Sequence, residues 1–343
     1  MEVSVTVHSS QFPQQLEAEL LESLRKRVLN HKFLYEGRRQ ARMWEATHQQ
    51  HSPARNDAEC QTLFMETFDS VAKLVKSPAV HIIGLGCGSG TKDIQLLNKI
   101  RNLGKMLVYT ACDTSVPLVL IARQKALEIL DGRQVHDLVA DLLTAEDLER
   151  ILITQTTGNS TRVLNFLGMI PNFEPGAILR RLSTFLRPED ILVFSANLSP
   201  GEDYRAGVEQ VLPQYDNPET RAWLLGALGE VGIEPEDGEL EFGIEEDSEG
   251  NGLLRIVATF VFANERTIPM SGEEFRFLPK DRFRVFYSYR HTAKTARDWL
   301  NRENIVVIEE KVTSSGEEVI YVCRKILPEG GAGEPRAIPS AKK

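Results

Sequence analysis

The chain has 343 residues, 42% of them hydrophobic and 26% charged, with a net charge of −9 and a pI near 5.5. That length admits one elaborated α/β domain or two of ordinary size. The acidic balance argues against nucleic acid, whose phosphates call for a basic surplus, and no apolar run approaches the roughly 20 residues that span a bilayer. Met1 to Phe12 lacks a basic stretch followed by an apolar one, so no secretory signal is read there. The expectation is a cytoplasmic protein with a small-molecule partner, neither a membrane protein nor a nucleic-acid binder. Cys60, Cys87, Cys112 and Cys323 are scattered, without metal-ligand spacing, so neither a metal site nor a disulfide framework is expected.

Residues 1–75 read as a helical region. Leu16, Leu20, Leu21 and Leu24 recur at helical spacing, and so do Leu63, Phe64, Phe68, Val71, Leu74 and Val75. Between them the polar stretch Thr47–Asp57, with its Ser-Pro and Asn-Asp pairs, predicts a loop, and Asp57 predicts a helix start. From 76 to 198 short apolar runs alternate with amphipathic helices. The strands are expected at Ala79–Leu85, Met106–Cys112, Asp137–Ala140, Arg162–Leu167 and Asp190–Phe194. This rhythm predicts a doubly wound α/β domain with a parallel sheet covered on both faces.

The rhythm breaks at Ser199. Residues 199–285 read as an inserted α+β domain, in which Glu234–Glu241 looks like a charged connection. Residues 286–326 are expected to complete the sheet and pocket, and the Gly/Pro/Ala-rich 327–343 to be a disordered tail.

The sharpest signal is an apolar strand running into Gly84-Leu85-Gly86-Cys87-Gly88-Ser89-Gly90-Thr91, with a helix behind it. Glycines there permit positive φ and let a ligand approach the backbone closely, while the helix start offers free N–H groups to an anion. A dinucleotide loop would need glycine at Ser89 or Thr91, and a P-loop a Gly-Lys-Ser/Thr; neither is present. The Gly86-x-Gly88-x-Gly90 form resembles the loop of S-adenosylmethionine-dependent methyltransferases, where the carboxylate of the cofactor's methionine replaces a phosphate. Asp113 ends the second strand, placed for the ribose hydroxyls, and Asp141 ends the third, placed for the adenine amino group. Either aspartate also suits a helix cap or turn.

The segments Leu85–Asp93, Ala111–Ser115 and Phe166–Pro175 resemble the histidine-specific methyltransferase family, whose best-known member trimethylates the α-amine of histidine. The resemblance runs from about Tyr35 to Arg324. It implies a Rossmann-like class I methyltransferase sheet, S-adenosylmethionine as cofactor, and an amino acid or related amine as acceptor. Cofactor contacts would fall on Tyr35, Gly86, Gly88, Gly90, Lys92, Asp113, Asp141 and Leu142. Acceptor contacts would fall on His51, Gly168, Asn172, Tyr215, Phe286 and Ser288, with Asn172 and Tyr215 holding the amino and carboxylate end. Pro53-Ala54-Arg55 would cover the pocket.

Three departures matter. The family's Glu-x-Ser element, which reads the imidazole, is matched by Phe286-Tyr287-Ser288, so its carboxylate has become an aromatic wall suited to an apolar or indole-like side chain. A pocket tyrosine has become His51 or Ser52. Gly84 stands where many methyltransferases carry an acidic residue. A cofactor-binding protein without turnover is the alternative those losses suggest. Blander roles also stay open at this point: Tyr215 on the surface, Asn172 in a turn, His51 solvated, Phe286 in the core.

Overall fold

A computed structural model describes residues 3–52, 56–156, 158–247 and 250–327. Three helices come first: α1 (Pro13–Lys26), α2 (Gly37–His51) and α3 (Ala58–Leu74), after a two-residue strand β1 (Thr6–Val7). Then β2 (Ala79–Leu85), α4 (Thr91–Arg101), β3 (Met106–Asp113), α5 (Val116–Ala126), β4 (Val135–Val139), α6 (Leu148–Thr154), β5 (Thr161–Phe166), α7 (Pro175–Phe185) and β6 (Ile191–Asn197) alternate as expected. Two helices, α8 (Tyr204–Val211) and α9 (Pro218–Leu228), lead into β7 (Gly238–Glu246), β8 (Leu254–Phe262), the hairpin β9 (Arg266–Met270) and β10 (Glu273–Phe277), and β11 (Arg282–Arg290). The chain closes with α10 (Ala293–Arg302), β12 (Ile305–Val312) and β13 (Glu318–Lys325).

The main sheet has the order β1-β4-β3-β2-β5-β6-β13-β12, parallel from β1 to β6, with β13 and β12 antiparallel at one edge. This is the doubly wound sheet that the strand–helix rhythm predicted, in the Rossmann-like form that the family resemblance implied. Its inner strands β2, β5 and β6 are buried along nearly their whole length, because both faces are covered there. On one face α3, α4 and α5 bury Phe64, Phe68, Val71, Leu96, Leu97, Val119 and Ala122; on the other α6, α7 and α10 bury Leu148, Leu152, Ile178, Leu182, Phe185 and Leu300.

A third core lies apart from the sheet. Leu24, Leu29, Phe33 and Leu34 from the N-terminal region pack with Trp223, Leu224 and Leu228 of α9 and with Phe260, Phe283 and Phe286 of the smaller sheet. That sheet has the order β11-β8-β7. The N-terminal segment and the residues after 199 therefore share one apolar interior, set over the carboxyl ends of the parallel strands.

Three local expectations are corrected and one holds. Thr47 to His51 continue α2, since nothing before Pro53 interrupts the helix and Trp44 stacks on His48 at 4.9 Å between ring centroids. Asp57 does start α3, its side chain accepting from Cys60 N at 2.6 Å. Most of Glu234–Glu241 belongs to β7 and the turn before it. There glutamates alternate with inward Leu240, Phe242 and Ile244, a half-exposed strand pattern masked by its acidity. The boundary drawn between 285 and 286 falls inside β11, which pairs with β8 from Arg282 to Arg290, so only β12 and β13 complete the main sheet. The expected tail lies outside the described residues from position 328 onward.

All four cysteines are free. Among the described residues no group of His, Cys, Asp and Glu is disposed to hold a metal ion, and no helix is long and apolar enough to cross a membrane.

Arg162 and Asp190 form a fully buried ion pair joining β5 to the start of β6, and Arg162 Nη2 also donates to the Phe185 carbonyl at 2.6 Å. Arg162→Ala strands the Asp190 carboxylate in the core and is expected to cost about 3–5 kcal/mol of stability. Urea unfolding measures it, and cofactor affinity in the folded fraction should be unchanged because neither residue reaches the cavity described next.

Candidate active site

One cavity of about 680 Å³ opens above the carboxyl ends of β2, β3, β4 and β5, between the main sheet and the third core. That volume is in the range for a cofactor and a small acceptor together.

Its first wall is the glycine loop. Gly86 and Gly88 have φ of +68° and +51°, which disfavour side chains. A Cβ on Gly86 would overlap Met169, and one on Gly88 would come within 2.7 Å of Trp44 Cη2. Gly90 (φ +72°) lies outside the cavity lining: a Cβ there would meet Ala122 Cβ at 2.8 Å, so it serves the packing of α4 on α5. No side chain caps the N-terminus of α4, which leaves its N–H groups and positive dipole end for an anion at the loop.

Asp113 is 9% exposed and does two things at once. Oδ2 accepts from Gly88 N and Oδ1 from Ser115 N, both at 3.0 Å, so it fixes the loop as well as facing the cavity. Burial pushes its pKa above the usual carboxylate value despite those backbone donors. Asp141 is held by Leu143 N on Oδ1 at 2.9 Å, while its own N–H donates to Ser10 Oγ. Lys32 Nζ, paired with Glu19 at 2.5 Å, stands 4.0 Å from Asp141 Oδ2. Both aspartates are turn residues and cavity-lining carboxylates; the two roles coincide. Leu142 lines the same end, and Lys92 reaches the cavity with its ammonium 3.7 Å from the centroid of Phe64.

The opposite wall comes mostly from β11. Arg284, Phe286, Ser288 and Arg290, spaced by two along the strand, all line the cavity. Phe286 is 6% exposed, with ring centroids 5.4 Å from His31, 5.8 Å from Tyr215 and 6.0 Å from Trp223. Tyr215 Oη lies 2.9 Å from Ser288 Oγ and accepts from Arg290 Nη2 at 2.6 Å. Asn172, in a short turn after β5, donates from Nδ2 to Tyr35 Oη at 3.3 Å, and its carbonyl accepts from Tyr287 Oη at 3.1 Å. Tyr35 packs on Trp44 and Trp223, and its Oη lies 3.2 Å from His31 Nε2. Burial pulls the His31 pKa down to about 3, so the imidazole is neutral at working pH. Gly168 lines the floor, its N–H bonded to Ser195 Oγ at 2.9 Å. His51 sits at the rim, 3.2 Å from Glu219. Pro53-Ala54-Arg55 lies outside the described residues.

Thirteen of the fourteen residues expected in the site, all but Gly90, thus line this one cavity. His31, Trp44, Met169, Trp223 and Arg290 line it too and went unread. Met169 stands within the Phe166–Pro175 segment, whereas the other four sit in no motif and reach the cavity only when the N-terminal region, α9 and β11 pack together. The lining fits S-adenosylmethionine: uncapped helix N–H groups and bare glycine backbone would receive its carboxylate, and Asp113 and Asp141 would accept from its ribose and adenine.

The model of the family described as histidine-specific methyltransferase, SAM-dependent, matches residues 16–231. No curated protein matched the chain by sequence. Among solved structures, mitomycin 7-O-methyltransferase MmcR is similar at 13% identity and a TM-score of 0.41, over 92% of this chain and 70% of that one. The Burkholderia thailandensis 1,6-didemethyltoxoflavin-N1-methyltransferase is similar at 12% identity and a TM-score of 0.40, over 83% and 86%. The amino pentose methyltransferase CalS10 from Micromonospora echinaspora gives 12% and 0.37, over 82% and 96%. At these identities and scores the likenesses say nothing about the acceptor. With its glycine loop, its paired aspartates and a family match over more than half its length, the chain belongs to the histidine-specific, S-adenosylmethionine-dependent methyltransferase family and is a methyltransferase.

Proposed function

We propose that the chain methylates the amine nitrogen of an amino acid, or a related small amine, whose side chain is aromatic or apolar. The observation that carries this reading is Asn172, Tyr215 and Phe286 facing the glycine loop across one cavity.

S-adenosylmethionine, when bound, supplies a methyl group on a sulfonium, open to in-line attack. The side chains around the acceptor have three tasks. They must aim a nitrogen lone pair, keep that nitrogen unprotonated, and exclude water. Asn172 and Tyr35 offer neutral hydrogen-bonding groups, and neutral His31 adds no charge of its own beside them. An ammonium entering among Tyr35, Trp44 and Trp223 loses hydration, which favours the free amine. Tyr215 has Arg290 behind its oxygen, so its O–H is a strengthened donor toward an acceptor carboxylate. Phe286 presents an apolar ring where an imidazole N–H would need a carboxylate.

Histidine should therefore be a poor acceptor. The lost charge-assisted bond is worth about 1.5–3 kcal/mol, roughly 10- to 150-fold in kcat/KM against an aromatic amino acid. Turnover measured on tryptophan, phenylalanine, histidine and their N-acetyl forms checks this. Histidine as the best substrate, or methylation of N-acetylated acceptors, contradicts it.

A further inference from the structure

Gly84 ends a buried strand with nothing of its own to offer a ligand, yet a carboxylate occupies the space beside it. A Cβ built on Gly84 would overlap the Asp93 carboxylate group, which arrives from the first turn of α4. Asp93 is 3% exposed and lines the cavity together with Gly84 and Asn165. Tyr109 Oη donates to its Oδ2 at 2.8 Å and Asn165 Nδ2 to its Oδ1 at 2.7 Å. Three adjacent strands, β3, β2 and β5, thus converge on this one group.

Two acceptor capacities are left over. A carboxylate has about four acceptor sites, of which these bonds use two. Asn165 is 2% exposed, and its Oδ1 has no hydrogen-bond partner among the described residues. Among the described residues no ion pair involves Asp93. Burial outweighs its donors and the neighbouring Lys92 charge, and lifts its pKa to about 6. A carboxylate buried without a cation is costly, so such a group in a ligand cavity marks a place for one.

We propose that Asp93, with Asn165 Oδ1, holds the α-ammonium of the cofactor's methionine moiety, the carboxylate having moved from the strand end at Gly84 to the helix at position 93. The anion of that moiety lies toward the glycine loop and the start of α4, and its cation toward Asp93. Glycine at 84 is then the space this arrangement requires and no sign of lost activity. The inference depends on the cofactor's identity and not on the acceptor.

Calorimetric binding of two ligands to Asp93→Asn tests it: S-adenosylhomocysteine, which carries the ammonium, and 5′-methylthioadenosine, which carries neither ammonium nor carboxylate. The expected result is about 30-fold weaker S-adenosylhomocysteine binding with methylthioadenosine within about twofold of the parent protein. Equal weakening of both ligands, or undiminished S-adenosylhomocysteine binding, overturns the proposal. Should Asp93→Asn fail to fold, the exchange Gly84→Asp with Asp93→Ala decides. S-adenosylhomocysteine binding at least about tenfold tighter than in Asp93→Ala alone supports it, and no gain overturns it.

Discussion

Asp113→Ala is expected to weaken S-adenosylhomocysteine binding by about 100-fold, close to 2.7 kcal/mol. The carboxylate holds Gly88 N and Ser115 N, so alanine frees the glycine loop and, on the proposed placement of the cofactor, also removes an acceptor for the ribose. Each hydrogen bond to a charged group contributes about 1.5–3 kcal/mol, and one such bond to the ligand accounts for the whole expected loss. The freed Gly88 and Ser115 N–H groups lie in a buried turn, which should cost a further 1–3 kcal/mol or so of stability. Calorimetry for binding and urea unfolding for stability separate the two effects. Undiminished binding would remove Asp113 from the cofactor site.

Asn172→Ala is expected to act on the other half of the site, lowering kcat about 100-fold while leaving S-adenosylhomocysteine affinity within about twofold. The substitution keeps the turn in place, because the Tyr287 hydroxyl bonds the Asn172 carbonyl, which alanine retains. It removes the amide that donates to Tyr35 Oη and that, on the proposed reading, would hold the acceptor nitrogen. A residue that merely supported the fold would lower cofactor affinity and melting temperature together. Steady-state kinetics alongside calorimetry distinguish the two.

The cofactor half was legible in the sequence because it is built from backbone. Positive-φ glycines at 86 and 88 and an aspartate at two successive strand ends are local features, each fixed within a few residues of a strand. Gly90 shared the motif, yet its place is set by Ala122, 32 positions along the chain and on a different helix, which the motif does not encode. The acceptor half was legible only where the family pattern supplied Asn172, Tyr215 and Ser288. Beyond Phe286 its aromatic enclosure escaped reading, because Trp44 and Trp223 join Phe286 only through the third core, which ties the N-terminal helices to β11 across the length of the chain. Arg290 joins the site only through the Leu198 carbonyl and Tyr215 Oη on its guanidinium, partners 92 and 75 positions away in the chain.

Strand β7 escaped for a different reason. Its outward positions are nearly all glutamate, so its first part, up to Glu241, read as a charged connection despite the inward alternation of Leu240, Phe242 and Ile244. α10 buries only Ala296 and Leu300 in a mostly polar segment, too few apolar positions for periodicity to register.

The central claim is methyl transfer to an amine nitrogen in this cavity. A cell-metabolite extract incubated with the protein and S-adenosylmethionine labelled in its methyl carbon tests it without presupposing the acceptor. The expected result is a labelled methyl on the amine nitrogen of an amino acid or small amine bearing an aromatic or apolar side chain, absent from the Asn172→Ala control. Label appearing only on oxygen, on carbon or on a ring nitrogen would contradict it.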